Sequence, residues 1–400
     1  MPPSTTPPPG RRSPVRRPPP GSLAAVPLLA VAAALLAAAC TSPAARAPAP
    51  VYRVYVANES SDRVDRVRFR PGEGAELEKS IPVGVMPGDL DGAHGLRVGP
   101  EGRFWYLTTA HGSPFGQLWK FRAGEDRVVG RDTLGLFPAT VDVTPDGSEA
   151  WVVNFNLHGD PEPSTVSVAA TAPVPEEVAR VGVCVRPHGS RIGPEGERHY
   201  SVCGPDDRLT EISTLEREVT RTLTLPSTRG DEACSPSWAE PGVGGDFVYV
   251  ACNGASVVYE VALGSEELEV VRRFPTGPAP YNLEAVPGGR WLLATNKGGA
   301  SVSVLDLEAG AERKRVPTTR PVTHGVVASP DGRFAFVSNE ARGGERSTVD
   351  VIDLREAERV ASVEVGLQAG GIDFWRVERP RRFDPNARPG APPARRPPGR

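Results

Sequence analysis

The residues best suited to chemistry in this 400-residue chain are its histidines and cysteines. His94, His111, His158, His188 and His324 supply neutral nitrogen donors of the kind that suits Cu, Zn or Fe. Cys184, Cys203, Cys234 and Cys252 can pair as disulfides or act as thiolate ligands, while Cys40 stands apart at the end of an apolar run. No short ligand spacing such as Cys-x-x-Cys joins these residues. There is no His-Glu-x-x-His, no Gly-x-Ser-x-Gly elbow and no phosphate-binding glycine loop. Asp89 and Asp91 precede His94 and have the chemistry of a base or ligand, but acids are common in surface loops and solvation is the favoured account. A net charge of −3, with no basic face in the pattern, argues against nucleic-acid binding.

What brings distant histidines together must be the repeat that carries them. His324-Gly-Val-Val-Ala-Ser-Pro330-Asp-Gly-Arg-Phe334-Ala-Phe-Val-Ser-Asn339 reads as a strand, a Pro-Asp-Gly turn and a second strand. Two more alternating segments follow, Ser347 to Leu354 and Arg359 to Val365. The turn recurs at Pro100-Glu-Gly102, Pro145-Asp-Gly147, Pro194-Glu-Gly196 and Pro287-Gly-Gly289, with a longer version from Pro241 to Asp246. Positions matching His324 are His94, Ala139, His188, Ser235, Tyr281 and Gly370, at gaps of 45, 49, 47, 46, 43 and 46 residues. A period of this length, with four strands in each copy, predicts an all-β, seven-bladed β-propeller of four-stranded antiparallel blades. The seventh copy is split. Residues 51–83 lack a first strand and residues 369–376 are a first strand without successors, so pairing the C-terminal strand with the N-terminal blade closes the ring and removes the open edges.

Tyr55-Val-Ala-Asn58, Trp151-Val-Val-Asn154, Leu293-Ala-Thr-Asn296 and Phe336-Val-Ser-Asn339 resemble the YVTN repeat of YncE-like β-propellers. The resemblance covers nearly all of 51–378. It implies an exported binding module. Similar propellers include lactonases and metal-dependent oxidoreductases, and the fold alone does not choose among them.

In a propeller, starts of first strands and ends of second strands share a face. The inner ring on that face is then Gly370, His94, Ala139, His188, Ser235, Tyr281 and His324, and the next is Asn58, Thr109, Asn154, Cys203, Cys252, Asn296 and Asn339. His111, Asn156, His158, Asn253, Lys297 and Glu340 lie just beyond, whereas His199 starts a second strand on the opposite face. Two accounts compete for each His-Gly pair: a bond to a neighbouring blade's backbone, or a ligand. Gathered at one polar mouth, His94, His111, His158, His188 and His324 are the candidate metal ligands. Asparagines at strand ends usually satisfy loop backbone. Amides facing a cleft also read small polar ligands, so His94, His188, Tyr281, His324, Asn154, Asn296 and Asn339 form the candidate ligand-binding set.

Aligning Cys234 and Cys252 with positions 323 and 339 makes them cross-strand neighbours, within disulfide reach. Cys184 with Cys203 is the second expected bridge, and thiolate ligation is the competing account.

The chain divides into an export signal over 1–39, an Ala/Pro-rich tether over 40–50, the propeller over 51–378 and a disordered Arg/Pro-rich tail over 379–400. Leu36-Ala-Ala-Ala-Cys40 resembles a bacterial lipobox, which implies acylation of Cys40 and an envelope location, most simply the outer membrane facing periplasm or exterior. Expected partners are the membrane through that anchor and a small ligand, envelope polymer or envelope protein at the histidine face, with the propeller a monomer. The functional expectation is a binding module. The alternatives are a Cu, Zn or Fe oxidoreductase at the funnel mouth and a lactonase-like hydrolase.

Overall fold

The computed structural model describes residues 49–379 apart from 87, 112–114, 228–231 and 265. The export segment with Cys40, and the Arg/Pro-rich segment beyond 379, lie outside the described residues. Among those described, no helix is long and apolar enough to cross a membrane.

Seven four-stranded antiparallel sheets form the blades. Blade 1 is closed by the last strand, Ala369–Glu378, which pairs with the first, Val51–Asn58, from Val51 opposite Glu378 to Asn58 opposite Ala369. The inner strands of blades 2 to 7 are Ala93–Val98, Pro138–Val143, Pro187–Ile192, Pro236–Pro241, Pro280–Ala285 and Val322–Ala328. In six blades the turn after the inner strand ends on a left-handed glycine: Gly102, Gly147, Gly196, Gly245, Gly289 and Gly332, with φ between 63° and 80°. A side chain there would be strained, which is why the Pro-x-Gly signature recurs.

Strand alternation distributes the core between neighbours. Tyr52, Val54 and Val56 pack against Phe334, Phe336 and Val351 of blade 7. Their alternates Tyr55 and Ala57 pack against Trp105, Leu107 and Trp119 of blade 2. Both faces of the middle strands are therefore buried, and blades hold one another by shared apolar clusters.

One register differs from the sequence expectation. In blade 5 the inner strand begins with Pro236 opposite Cys252, so Ser237, not Ser235, is equivalent to His94. Ser235 takes the left-handed step into the strand (φ 44°) that Gly92, Phe137, Arg186, Ala279 and Gln368 take elsewhere. Cys234 therefore lies two residues before the paired position, yet its Cα is 4.5 Å from that of Cys252 and the disulfide forms. The second disulfide joins Cys184, on the outer strand Glu176–Val185 of blade 3, to Cys203 of blade 4, with Cα atoms 6.2 Å apart. It staples two blades together. Both separations lie in the range disulfides accept, and with the sulfurs paired the thiolate alternative falls away.

Candidate functional site

The histidines are held by their glycine neighbours. A Cβ on Gly95 would lie 2.2 Å from the Ala139 carbonyl oxygen, on Gly189 2.2 Å from that of Ser237, and on Gly325 2.8 Å from that of Gly370. Inner strands approach one another there more closely than any side chain allows. Hydroxyls fill the resulting gaps: Thr108 Oγ1 accepts from Gly95 N (2.8 Å) and donates to Ala139 O (3.3 Å), and Ser338 Oγ accepts from Gly325 N (2.9 Å). The His-Gly pair thus has a structural half, the glycine, and a displayed half, the imidazole.

His94, His188 and His324 converge on the channel mouth. The His94 ring centre is 6.5 Å from that of His188 and 6.1 Å from that of His324. His94 Nδ1 is 2.8 Å from Glu59 Oε2, His188 Nδ1 is 3.1 Å from the Ser237 carbonyl oxygen, and His324 Nδ1 is 2.9 Å from Glu340 Oε1. The last is an ion-pair distance with poor hydrogen-bond angles, and His324 Nδ1 has no well-directed partner. Tyr281 joins the group, its hydroxyl 3.0 Å from His188 Nε2 and its ring 4.8 Å from His324. Lys297 Nζ lies 4.0 Å from the Tyr281 ring centre and 3.5 Å from Glu340 Oε1. A cavity of about 40 Å³ opens beneath, lined by the three histidines with Thr140, Arg191 and Asn282. That is room for roughly two waters or a small ion.

Burial pushes His188 down to about 3, with the neighbouring His94 adding to the effect, and it lowers His324 in concert with Lys297. The His188 imidazole is a neutral donor at physiological pH. Burial acting alone would raise both carboxyls at the rim. The proximity of His94 and the hydrogen bond from His111 instead hold Glu59 far below the usual carboxylate range, and His324 with Lys297 holds Glu340 at about 2.

The remaining predicted residues sit elsewhere. His111 Nε2 shares Glu59, 2.6 Å from Oε1, and exposed His158 lies 5.5 Å from the His111 ring, so these two form an outer tier. Asn154, Asn296 and Asn339 are fully buried and turned into their own blades. Asn154 donates to Thr165 and Ser167, Asn296 to Ser301 and Ser303, and Asn339 to Val337 and Thr348. None lines the cavity, which corrects their placement in the ligand set. Asp91 accepts from the Val85 amide at 2.6 Å, a loop-stabilising role.

Sequence reasoning missed Glu59, which follows Asn58 as Glu340 follows Asn339. It also missed a second ring, three residues beyond the first: Arg97, Asp142, Arg191, Glu240, Glu284, Val327 and Asp373. Each acid accepts an amide of the next blade's inner strand: Asp373 from Val98, Asp142 from Ile192, Glu240 from Ala285 and Glu284 from Ala328. Arg97 pairs with Asp142 at 2.8 Å, and Arg191 lies 3.6 Å from Glu240. Burial, reinforced by Glu240, pushes Glu284 up to about 8. This ring stitches the channel wall and has a structural account.

His199 pairs with Ile192 at the end of the inner strand away from the mouth, as expected, and is fully buried against Trp151 with neither ring nitrogen hydrogen-bonded. Burial pushes it down to about 4. The unfolded chain takes up its proton near the ordinary histidine value of about 6.5 while the fold does not, so stability drains away as pH falls from there to about 4. A His199→Phe chain should keep the ring contact and recover about 2 kcal/mol at pH 4.5 relative to its difference from wild type at pH 7.5. Urea unfolding at the two pH values measures this, and parallel pH dependences would refute it.

Seven closed blades make this protein a seven-bladed β-propeller. Among solved structures, the periplasmic gluconolactonase of Pseudomonas aeruginosa is similar over 81% of this chain and 99% of its own, at 18% identity and TM-score 0.63. A Lactobacillus plantarum protein matches with the same coverages at 13% identity and TM-score 0.64. Hydrazine synthase from Kuenenia stuttgartiensis matches over 71% of this chain and 91% of its own, at 20% identity and TM-score 0.57. At these identities the likeness is one of fold. No protein-family model and no curated protein matches the chain.

Proposed function

We propose that this chain is an exported propeller of the YncE-like kind, anchored to the cell envelope through Cys40, whose histidine-bearing mouth binds a small polar ligand. One observation carries the reading: three imidazoles and a tyrosine hydroxyl converge over a cavity from four different blades, two of the imidazoles being nine-tenths buried. Such a polar, desolvated group is costly to assemble unless something occupies it. Two disulfides suit an oxidising compartment. The outer membrane is the simplest location for a lipidated envelope protein, and a closed ring needs no second copy for stability.

A second reading is lactone hydrolysis, in which His94, oriented by Glu59, takes a proton from the attacking water and Tyr281 or Lys297 stabilises the oxyanion. The Pseudomonas gluconolactonase is the neighbour that favours it.

Thermal melts of the full chain with gluconate, glucono-1,5-lactone, a short glycan, a dipeptide, Zn(II) and Cu(II) test the first reading. At least one should raise the melting temperature saturably, and His188→Ala should abolish the shift. If no probe does so, the binding reading fails. Turnover of the lactone, lost in His94→Ala, replaces it with the hydrolase.

A further inference from the structure

We propose that His94, His188 and His324 form a three-imidazole site for a late first-row transition-metal ion, Cu(II) or Zn(II), with one coordination position open to the funnel. The proposal deepens the binding reading and rests on it, since it names the ligand class of that same mouth.

All three Nδ1 atoms face an acceptor: a carboxylate for His94 and His324, a backbone carbonyl for His188. Metal-binding histidines are commonly held in this way, because tying one nitrogen fixes the tautomer and aims the lone pair of the other. Each Nε2 is thereby left for the cavity. Among the described residues the His94 and His324 Nε2 atoms have no hydrogen-bond partner, and His188 Nε2 accepts from the Tyr281 hydroxyl. His324 is the second, independent sign. It is nine-tenths buried and lines the cavity, and no hydrogen bond within the described residues occupies its Nε2, the nitrogen that coordination would use.

The rings stand apart by more than a closed site needs. Among the described residues no three His, Cys, Asp or Glu side chains are placed to hold an ion as they stand. Metal–nitrogen bonds of about 2.0–2.1 Å require the imidazoles to swing inward and His188 to exchange the Tyr281 hydroxyl for the ion. Side-chain rotation supplies this, because the adjoining glycines fix the backbone. His111 and His158 are outside the ligand set: Glu59 stands between His111 and His94, accepting from both. The paired sulfurs are unavailable, so nitrogen donors alone define the site. That donor set selects Cu(II) and Zn(II) over Mg(II) or Ca(II).

The full chain, purified without a histidine tag and stripped with chelator, is titrated with Cu(II) under electron paramagnetic resonance and with Zn(II) by calorimetry. The expected result is one equivalent of either ion, with a Cu(II) spectrum showing three nitrogen donors. His188→Ala and His324→Gln should each weaken binding about 100-fold or more, whereas Glu59→Gln, which removes the tether and keeps the ligands, should weaken it by roughly 10–100-fold with the three-nitrogen spectrum retained. His158→Ala should bind as wild type, and circular dichroism identifies variants that keep the fold. Substoichiometric binding by wild type, or unchanged binding by folded His188→Ala and His324→Gln, overturns the proposal. If an organic probe still shifts the melt and that shift is lost in His188→Ala, the binding reading survives without the metal. If no probe binds, both fall.

Discussion

A Gly95→Ala chain is expected to melt about 4 °C below wild type, a loss of roughly 3 kcal/mol for one methyl group. Alanine in a strand normally helps, by about 0.4–1 kcal/mol, because it narrows the unfolded ensemble. Here that gain is overwhelmed. The new Cβ would sit 2.2 Å from the carbonyl oxygen of Ala139 and 2.9 Å from Thr108 Oγ1, and the first of these is backbone of the neighbouring blade. Rotamer changes cannot relieve it, so two inner strands must part. The hydroxyl bridge from Gly95 N through Thr108 to Ala139 O would be lost with them. Gly182→Ala is the matched control, since a Cβ there meets nothing within 4 Å and the residue is an exposed position of an outer strand. Equal melting of the two variants by circular dichroism would refute the close-approach argument. Because His94 precedes Gly95, the same substitution should also displace one wall of the mouth.

That contrast marks what the sequence makes legible. The repeat was readable because each blade needs the same left-handed turn glycine and the same alternation, and closure was readable because an unpaired first strand and an unpaired set of successors can only complete each other. The disulfide between Cys234 and Cys252 was reached through a register two residues out, since the left-handed step at Ser235 leaves no residue-type signature. The asparagines illustrate a subtler limit. Their place in the chain put them on the correct face, but the serines and threonines of the third strand, Thr165, Ser167, Ser301 and Ser303, draw them inward. Glu59 was hidden because its partner His94 belongs to the next blade. Only the pairing of Asn58-Glu59 with Asn339-Glu340 pointed to it. The acids of the lower ring were hidden for a similar reason, each serving an amide in a neighbouring repeat.

Ending the chain after Gln368 should abolish cooperative folding altogether. The strand removed, Ala369–Glu378, is the inner strand of blade 1 and pairs along the whole of Val51–Asn58. Without it, the first strand becomes an open edge of apolar and aromatic residues, a template for aggregation. Ile372 leaves the cluster shared with blade 7 and Trp375 leaves the one shared with blade 2, so two interfaces lose their seal at once. Asp373 withdraws the acceptor of the Val98 amide, and Arg97 keeps only Asp142 at close range. These losses fall on the two blades that flank the break, where the ring has no other closure. A chain ended after Arg379 retains the strand and should melt like the full chain. The readouts are the yield of soluble monomer and the presence of a single thermal transition. A folded, monomeric chain ending at Gln368 would show that six complete blades suffice and that the last strand is dispensable to the fold. It would also leave His94 beside an open seam, so the same sample, titrated with Cu(II), separates the contribution of ring closure to the mouth from that of the histidines themselves.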